Sequence, residues 1–524
     1  AITQLRAART GPVCDASWPK GWSPERRLAV ERSLRTAGLD PARALASLDR
    51  RVARTLELRE RGCVESARGA SERAEWTRRL VCVDETWAKT GRSVAALVRP
   101  DPAQVREAAD ELAEVPPVER CERGSLSAVP EALAPAQQAR YEALAETIQR
   151  LETDSSVKPP ERLAKLRAMQ PDIDALHYAP LDARWRWGLG HALSDAHDLA
   201  AAAKEFAVSA ETGLAAGDDN LYVRALIAQL HQTRAGSADQ IALLESQAEA
   251  GARRLANPQV DAQLLIARAN VYMERGDNAK ARTLFERADA VYQQIALAPM
   301  AMHVMVLQNL GAICLETGDM AAGDRYLDRA VELARLRYTD AGAPYWEARG
   351  ARATSYLFRK DLAKAEPELR AAADGIERTS PTSGQAGMLR AYLCILLLGK
   401  NQVADARAQC AASVQAMQAL GADTPAQVWP LTLSGQVELR DDHVDLALAF
   451  LERAVRLAEQ NHVRPIELTV AQAYYAIALR AGKRTADANA LARIVAPKLR
   501  DPAVAESRGD FVRYFPELRA QASP

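Results

Sequence analysis

Apolar residues along this chain recur at i, i+3 and i+4, and alternating β-branched runs are few, so the pattern predicts helices nearly throughout. Near the N-terminus, Ser23-Pro24-Glu25-Arg26 reads as an N-cap, a proline at the first helical position and an acidic first turn. It opens a helix that stops near Gly38. Asp40-Pro41 opens a second, longer helix to about Gly69. Ser71 caps a third, with Trp76, Leu80, Val83, Trp87 and Val94 along it, and Asp101-Pro102 starts a fourth that ends before Pro116-Pro117. Four helices joined by short capped turns predict a small bundle over residues 14–130.

Beyond residue 130 the pattern becomes periodic. A turn-like dipeptide is followed about five residues on by a small residue, a large apolar one and another small one. The clearest copies are Ala281, Phe285 and Ala288 after Gly276; Gly323, Leu327 and Ala330 after Gly318; and Ala365, Leu369 and Ala372 after Lys360. Further copies centre on Ala406, Ala447 and Ala488, so the first small residue recurs at intervals of 42, 42, 41, 41 and 41. Such regularity predicts stacked helix pairs. Small residues at Gly311, Ala353, Gly435 and Ala476 on first helices match the small residues on second helices, which sets a close crossing. Phe285, Leu327, Leu369 and Leu451 are then expected to fill the space against the next unit. An earlier copy holds Leu189, Gly190, Leu193, Ala202, Phe206 and Ser209 in register, and a degenerate pair covers residues 218–255. Helices near residues 134–153 and 160–170 read as an entry repeat. The expected architecture is all-α: a bundle over 14–130, a repeat solenoid over 131–500 and a capping tail over 501–524.

This pattern resembles the tetratricopeptide repeat across about residues 180–497, best in NLGAICLETGDMAAGDRYLDRAVELA and ANVYMERGDNAKARTLFERADAVY. The period exceeds that family's usual 34, as in its long-repeat variants. The resemblance implies a right-handed superhelix whose concave wall, lined by first helices, receives an extended peptide or a partner's helix. By position, Trp187, His191, Asn270, Gln308, Asn309, Tyr392, Gln436 and Tyr474 are the groove candidates. Aromatic and amide side chains suit a peptide groove, because they offer area and backbone hydrogen bonds at low entropic cost; the alternative is that several pack between repeats. The Lys and Asn pattern with which some members clamp a C-terminal carboxylate is absent.

Lys plus Arg equals Asp plus Glu at 68 each, so no global field favours nucleic acid or anionic lipid. No apolar run approaches the roughly 18 to 20 residues of a membrane-spanning helix, and AITQLRAART has no apolar signal core. The seven cysteines lack zinc-ligand spacing, and neither metal nor cofactor is expected. Cys63 and Cys82 lie nearly symmetrically about the turn between the second and third helices and are placed to pair. Cys14 and Cys121 flank the bundle, where a second bond would fasten its ends. Cys394 occupies the close-contact position of a first helix and Cys410 the bulky position of the second helix of the same unit, so a bond inside that repeat is expected in an oxidising compartment. In a reducing one, these cysteines are instead buried thiols.

The bundle also resembles the region that follows the membrane helix in bacterial transmembrane serine/threonine protein kinases with C-terminal tetratricopeptide repeats. The resemblance is carried by Cys14, SPERRLAVERSLRTAGL, ERGCVESARG around Cys63, SERAEWTRRLVCVDE around Cys82, and VRPDPAQVREAADELAEVPPVERC ending at Cys121. It implies a periplasmic sensor fragment tethered through an N-terminal transmembrane helix that this chain lacks, with a protein or peptide ligand. A homodimer is a further option, since terminal repeats often pair. No GxGxxG, GxxxxGK, HRD, DFG, HExxH or GxSxG element with triad partners occurs, so no catalysis is expected of this chain. His191, His197 and His231 lie on repeat helices without metal spacing. The competing reading is a cytoplasmic scaffold or adaptor that assembles protein partners with its thiols reduced.

Overall fold

The computed structural model describes residues 21–123, 133–153, 157–196, 198–233, 236–295, 300–381, 383–421, 423–461, 463–501 and 504–523. Among them the secondary structure is helical, with no strand. The chain divides into two compact units, Ala1–Ile313 and Cys314–Pro524.

In the first unit four helices make the bundle, α1 (Pro24–Thr36), α2 (Pro41–Ser66), α3 (Ala70–Leu97) and α4 (Pro102–Glu114), and all but α3 are led by proline. Ser23 Oγ accepts from the Arg26 amide at 3.2 Å. Asp40 and Asp101 each cap the amide two residues on, at 3.0 and 2.9 Å. The third helix starts one residue before the expected cap: Gly69 holds the N-cap position, and Ser71 lies inside α3. Val30, Leu34, Leu48, Trp87, Leu97 and Leu112 are buried in the bundle core. Arg51, from α2, donates to the carbonyls of Val115 (2.6 Å) and Pro116 (2.9 Å), holding the exit of α4 against α2.

Cys82 is bonded to Cys121, with Cα atoms 5.7 Å apart, and therefore to neither Cys63 nor Cys14. Symmetry about a hairpin turn places two residues at similar heights, but bonding also needs Cβ vectors that face each other. The 3-10 turn Val118–Arg123 returns the chain onto α3 and brings Cys121 there instead. Cys63 is itself disulfide-bonded, and Cys14 lies outside the described residues.

Helices α5 (Pro135–Thr153), α6 (Pro159–Ala168) and α7 (Gln170–Leu176) lead into the repeats. The pairs follow as α8 (Ala179–Asp195) with α9 (Leu199–Ala215), α10 (Asp219–Gln232) with α11 (Ala238–Leu255), and α12 (Pro258–Glu274) with α13 (Asn278–Ile295); α14 is Ala301–Glu316. The second unit holds α15 (Met320–Tyr338), then α16 (Ala343–Phe358) with α17 (Leu362–Thr379), α18 (Gly384–Gly399) with α19 (Val403–Gln418), α20 (Val428–Arg440) with α21 (Val444–Gln460), and α22 (Pro465–Ala481) with α23 (Thr485–Val495). The tail forms α24 (Ala505–Tyr514) and α25 (Arg519–Ala522), and Phe511 and Phe515 bury themselves in the core around α22.

A left-handed residue sits between helices at Gly276, Gly318, Lys360, Asn401, Asp442 and Lys483, spaced as the triad is spaced. After each, the next amide reaches back to a carbonyl five residues earlier, as in Asp277 to Tyr272 (2.9 Å) and Asp361 to Tyr356 (2.9 Å). Asp277, Asp319 and Asp361 then cap the second helix through their carboxylates. The turn-like dipeptide is thus one residue that ends a helix and one that begins the next.

The bulky residue of the triad packs within its own pair. A Cβ on Gly190 would lie 2.7 Å from the Phe206 ring, and one on Gly435 would lie 2.4 Å from Leu451. Leu451 therefore fills the notch that glycine opens on its partner helix, and it also belongs to the core that holds Ala473 and Ile477 of the next pair, where it was expected. Cys394 and Cys410 stand at the same separation of 16 and are joined by a disulfide with Cα atoms 5.4 Å apart. Other contacts repeat as well. Ser209 to the Ala183 carbonyl (2.8 Å) and Ser413 to the Gly387 carbonyl (2.6 Å) both span 26 residues. Arg186 to Glu205 (3.1 Å), Arg349 to Glu368 (3.0 Å) and Arg390 to Gln409 (3.1 Å) all span 19.

Candidate interaction surface

The first unit gathers two of the groove candidates into one cluster. Trp187 and His191, one turn apart on α8, meet edge to face with ring centroids 4.4 Å apart. Both lean on Phe206 of α9, at 5.6 and 5.1 Å. The Arg224 guanidinium, from α10, lies 5.3 Å from the Trp187 ring centroid, within cation–π range.

Beside them sits Glu152, at the end of α5. Its Oε2 is 3.8 Å from an Arg184 nitrogen, whereas its Oε1 is buried without a hydrogen-bond partner among the described residues. Burial pushes this carboxyl up, against the pull of Arg184 and Arg224. Gly188 makes room for it, since a Cβ there would stand 3.1 Å from Oε1.

His191 keeps an exposed surface, yet its pKa is pushed down to about 4, first by burial and then by the Arg224 and Arg162 cations. An exposed ring amid dense protein is one that solvent reaches from one side. The imidazole is neutral at pH 7 and offers one donor and one acceptor. Arg162 is itself held by Asp195 at 2.7 Å. The cluster joins a flat aromatic face, a neutral imidazole and fixed guanidinium groups, which suits backbone amides and an acidic or polar side chain of a polypeptide.

The other candidates have different fates. Asn270 is only 5% exposed, and its side-chain nitrogen lies 3.3 Å from His231 Nδ1, so it ties α12 to α10. Tyr474 is 6% exposed and donates to Asp510 Oδ2 at 2.9 Å, so the C-terminal tail occupies its hydroxyl. Neither presents an open surface. Gln308 and Asn309 are half-buried on α14, and Gln436 is half-buried on α20. Tyr392 is half-buried against the core of the second unit, and burial followed by the Glu316 charge pushes its hydroxyl up. Of the eight candidates, Trp187 and His191 are the two shown in contact with each other. His197 lies outside the described residues.

Arg184, Arg224 and Glu152 join the site beyond the residues expected from sequence, and Arg184 shares the α8 stripe with Trp187 and His191 at spacings of three and seven. That spacing was a readable signal. Glu152 and Arg224 come from other helices, and nothing in their local sequence announces the meeting.

No group of three or more His, Cys, Asp or Glu residues among those described could hold a metal ion, and no described helix is long and apolar enough to cross a membrane. A buried pair, His303 to Asp289 at 2.7 Å, is closed in by Tyr292 and Gln293 and has no open face.

No protein-family model and no curated protein sequence matches the chain. Solved structures with a similar fold include BtubC from P. vanneervenii, at 18% identity and TM-score 0.37 over 45% of this chain and 94% of that one. A Rap protein in complex with competence and sporulation factor is similar at 11% identity and TM-score 0.42, over 65% and 98% of the two chains. NprR in complex with its cognate peptide NprX is similar at 16% identity and TM-score 0.37, over 61% and 84%. Likenesses this loose carry no functional argument. The helix pairs themselves make this an all-α repeat protein of tetratricopeptide-like build.

Proposed function

We propose that this chain is a non-catalytic ligand-binding region that receives a protein or peptide segment on its first-helix surface. The observation that carries the reading is the Trp187–His191–Arg224 cluster, in which an exposed imidazole stands beside a half-buried indole and a half-buried guanidinium. Trp and Arg are the residues that most often dominate such contacts. Binding would act by favouring one arrangement of a repeat array in which each pair leans on its neighbours.

The setting we propose is the periplasmic side of a membrane-tethered serine/threonine kinase, whose activity the bound ligand regulates. Its support is the cysteine-bearing bundle leading into repeats, with bonds at Cys82–Cys121 and Cys394–Cys410 that persist in an oxidising compartment. Selection of peptides from a displayed library on the immobilised chain tests the surface. The expected result is a family of binders weakened at least tenfold by Trp187→Ala; binders indifferent to Trp187→Ala and Arg224→Ala would refute it. Thiol counting tests the compartment: protein taken unreduced from its native source should show at most two reactive thiols among its seven cysteines once denatured. Seven would favour the cytoplasmic scaffold.

A further inference from the structure

A cavity of about 560 Å³ opens in the first unit between the bundle and the repeats, away from the Trp187 cluster. From the bundle it is lined by Arg43, Ser47, Arg50 and Arg51 of α2, and from the repeats by Asn257 and Gln259 at the start of α12. Three of its lining residues are arginines and none is acidic, in a chain whose acids and bases balance at 68 each.

The arginines differ in how they are held. Arg51 is spent on the Val115 and Pro116 carbonyls, and burial pushes its pKa down to about 10, against the upward pull of the Glu119 charge. Arg43 gives one N–H to the Gln293 carbonyl at 3.1 Å, which leaves other donors of its fork unused. Arg50 is exposed and has no hydrogen bond or ion pair among the described residues.

The opposite wall is the N-terminus of a 17-residue helix. Its cap is made by Asn257, whose side-chain oxygen accepts from the Gln259 amide at 3.0 Å. The positive end of the helix dipole favours an anion there. Gln259 supplies an independent sign: it is 2% exposed, it lines the cavity, and neither its Oε1 nor its Nε2 has a partner among the described residues. An unpaired buried amide is costly, and a ligand group could relieve that cost after a turn of the side chain.

We propose that this cavity binds a small organic anion, its carboxylate or phosphate group held by Arg43 and Arg50 and facing the start of α12. The volume is that of a metabolite site rather than a peptide groove. The site stands independently of the reading under Proposed function.

The test is calorimetric titration of the whole chain at low ionic strength with two probes, citrate and inorganic pyrophosphate, which separate the carboxylate from the phosphate source. Saturable one-to-one binding of either is expected, weakened at least tenfold by Arg43→Ala/Arg50→Ala and at least threefold by the single Arg50→Gln. Arg50 is exposed and unpaired, so that variant should keep the parent's circular dichroism and melting temperature. Binding of neither probe would overturn the proposal, and so would binding that Arg50→Gln leaves unchanged.

Discussion

The N-terminal bundle and the repeats hold their helices together by different logics. In the repeats one contact recurs at fixed offsets: a bulky side chain seats on a small one 16 residues earlier in the α8–α9 and α20–α21 pairs, and a disulfide takes that place in α18–α19. In the bundle each fastening occurs once: Arg51 on the Val115 and Pro116 carbonyls, Arg27 on Asp49, Cys82 on Cys121. A repeated contact can be read from sequence because several copies vote on the same register. A single contact has no second copy to check it.

That difference explains which expectations survived. The Cys394–Cys410 bond follows from positions that Gly435 and Leu451 hold in a neighbouring pair. The pairing proposed for Cys63 and Cys82 failed because the turn that carries Cys121 back to α3 has no periodic signature. The starts of α1, α2 and α4 were legible from Asp-Pro and Ser-Pro caps, a purely local signal, whereas α3 starts after Gly69, which has no side-chain cap, and not at Ser71. The candidate surface was half legible: Trp187 and His191 share a stripe of α8, whereas Glu152 and Arg224 arrive from α5 and α10 through packing alone.

The sharpest way to break the comparison is to cut one disulfide of each kind. By loop-closure entropy, Cys394→Ser/Cys410→Ser should cost about 3 kcal/mol and Cys82→Ser/Cys121→Ser about 4 kcal/mol, as read by denaturant unfolding. The repeat offers a rescue that the bundle lacks. Cys394→Gly/Cys410→Leu restores the glycine and leucine of the α20–α21 pair and should recover at least half of the loss. If that variant is no more stable than the serine pair, the disulfide does not stand in for the repeating contact.

A smaller effect concerns the turns. Lys360 and Lys483 have φ of 61° where the other copies at 276 and 318 use glycine. The left-handed region costs an ordinary residue roughly 1–2 kcal/mol, and glycine gives part of that back to chain entropy. Lys360→Gly and Lys483→Gly should each stabilise by about 0.5–1 kcal/mol. In the bundle, Gly38 at φ 75° already supplies the glycine, and Gly38→Ala should destabilise by a similar amount. Melting temperatures of the three variants decide whether the turn chemistry is shared across the two regions; a loss of stability in both lysine variants would deny it.

The least of these effects gives the two regions opposite dependence on pH. In the bundle, Glu57 is held below the usual carboxylate range first by its Arg54 hydrogen bond, and Glu122, despite burial, by Arg54 and Arg61. A carboxyl depressed in the folded state stabilises above its unfolded value of about pH 4.3 and loses that contribution as pH falls through the folded value. In the repeats, burial alone pushes Glu347 of α16 up. Its contribution has the reverse sign: it is complete below about pH 4.3 and is lost as pH rises through the folded value. Glu347→Gln should therefore raise the melting temperature at pH 7.5 and leave it unchanged at pH 4, whereas Glu57→Gln/Glu122→Gln should lower it at pH 7.5 more than at pH 4. Solvent screening keeps both shifts small, so it is their opposite sign that carries the comparison. A Glu347→Gln gain equal at both pH values would mean that the side chain's shape, and not its charge, is what the repeat resists.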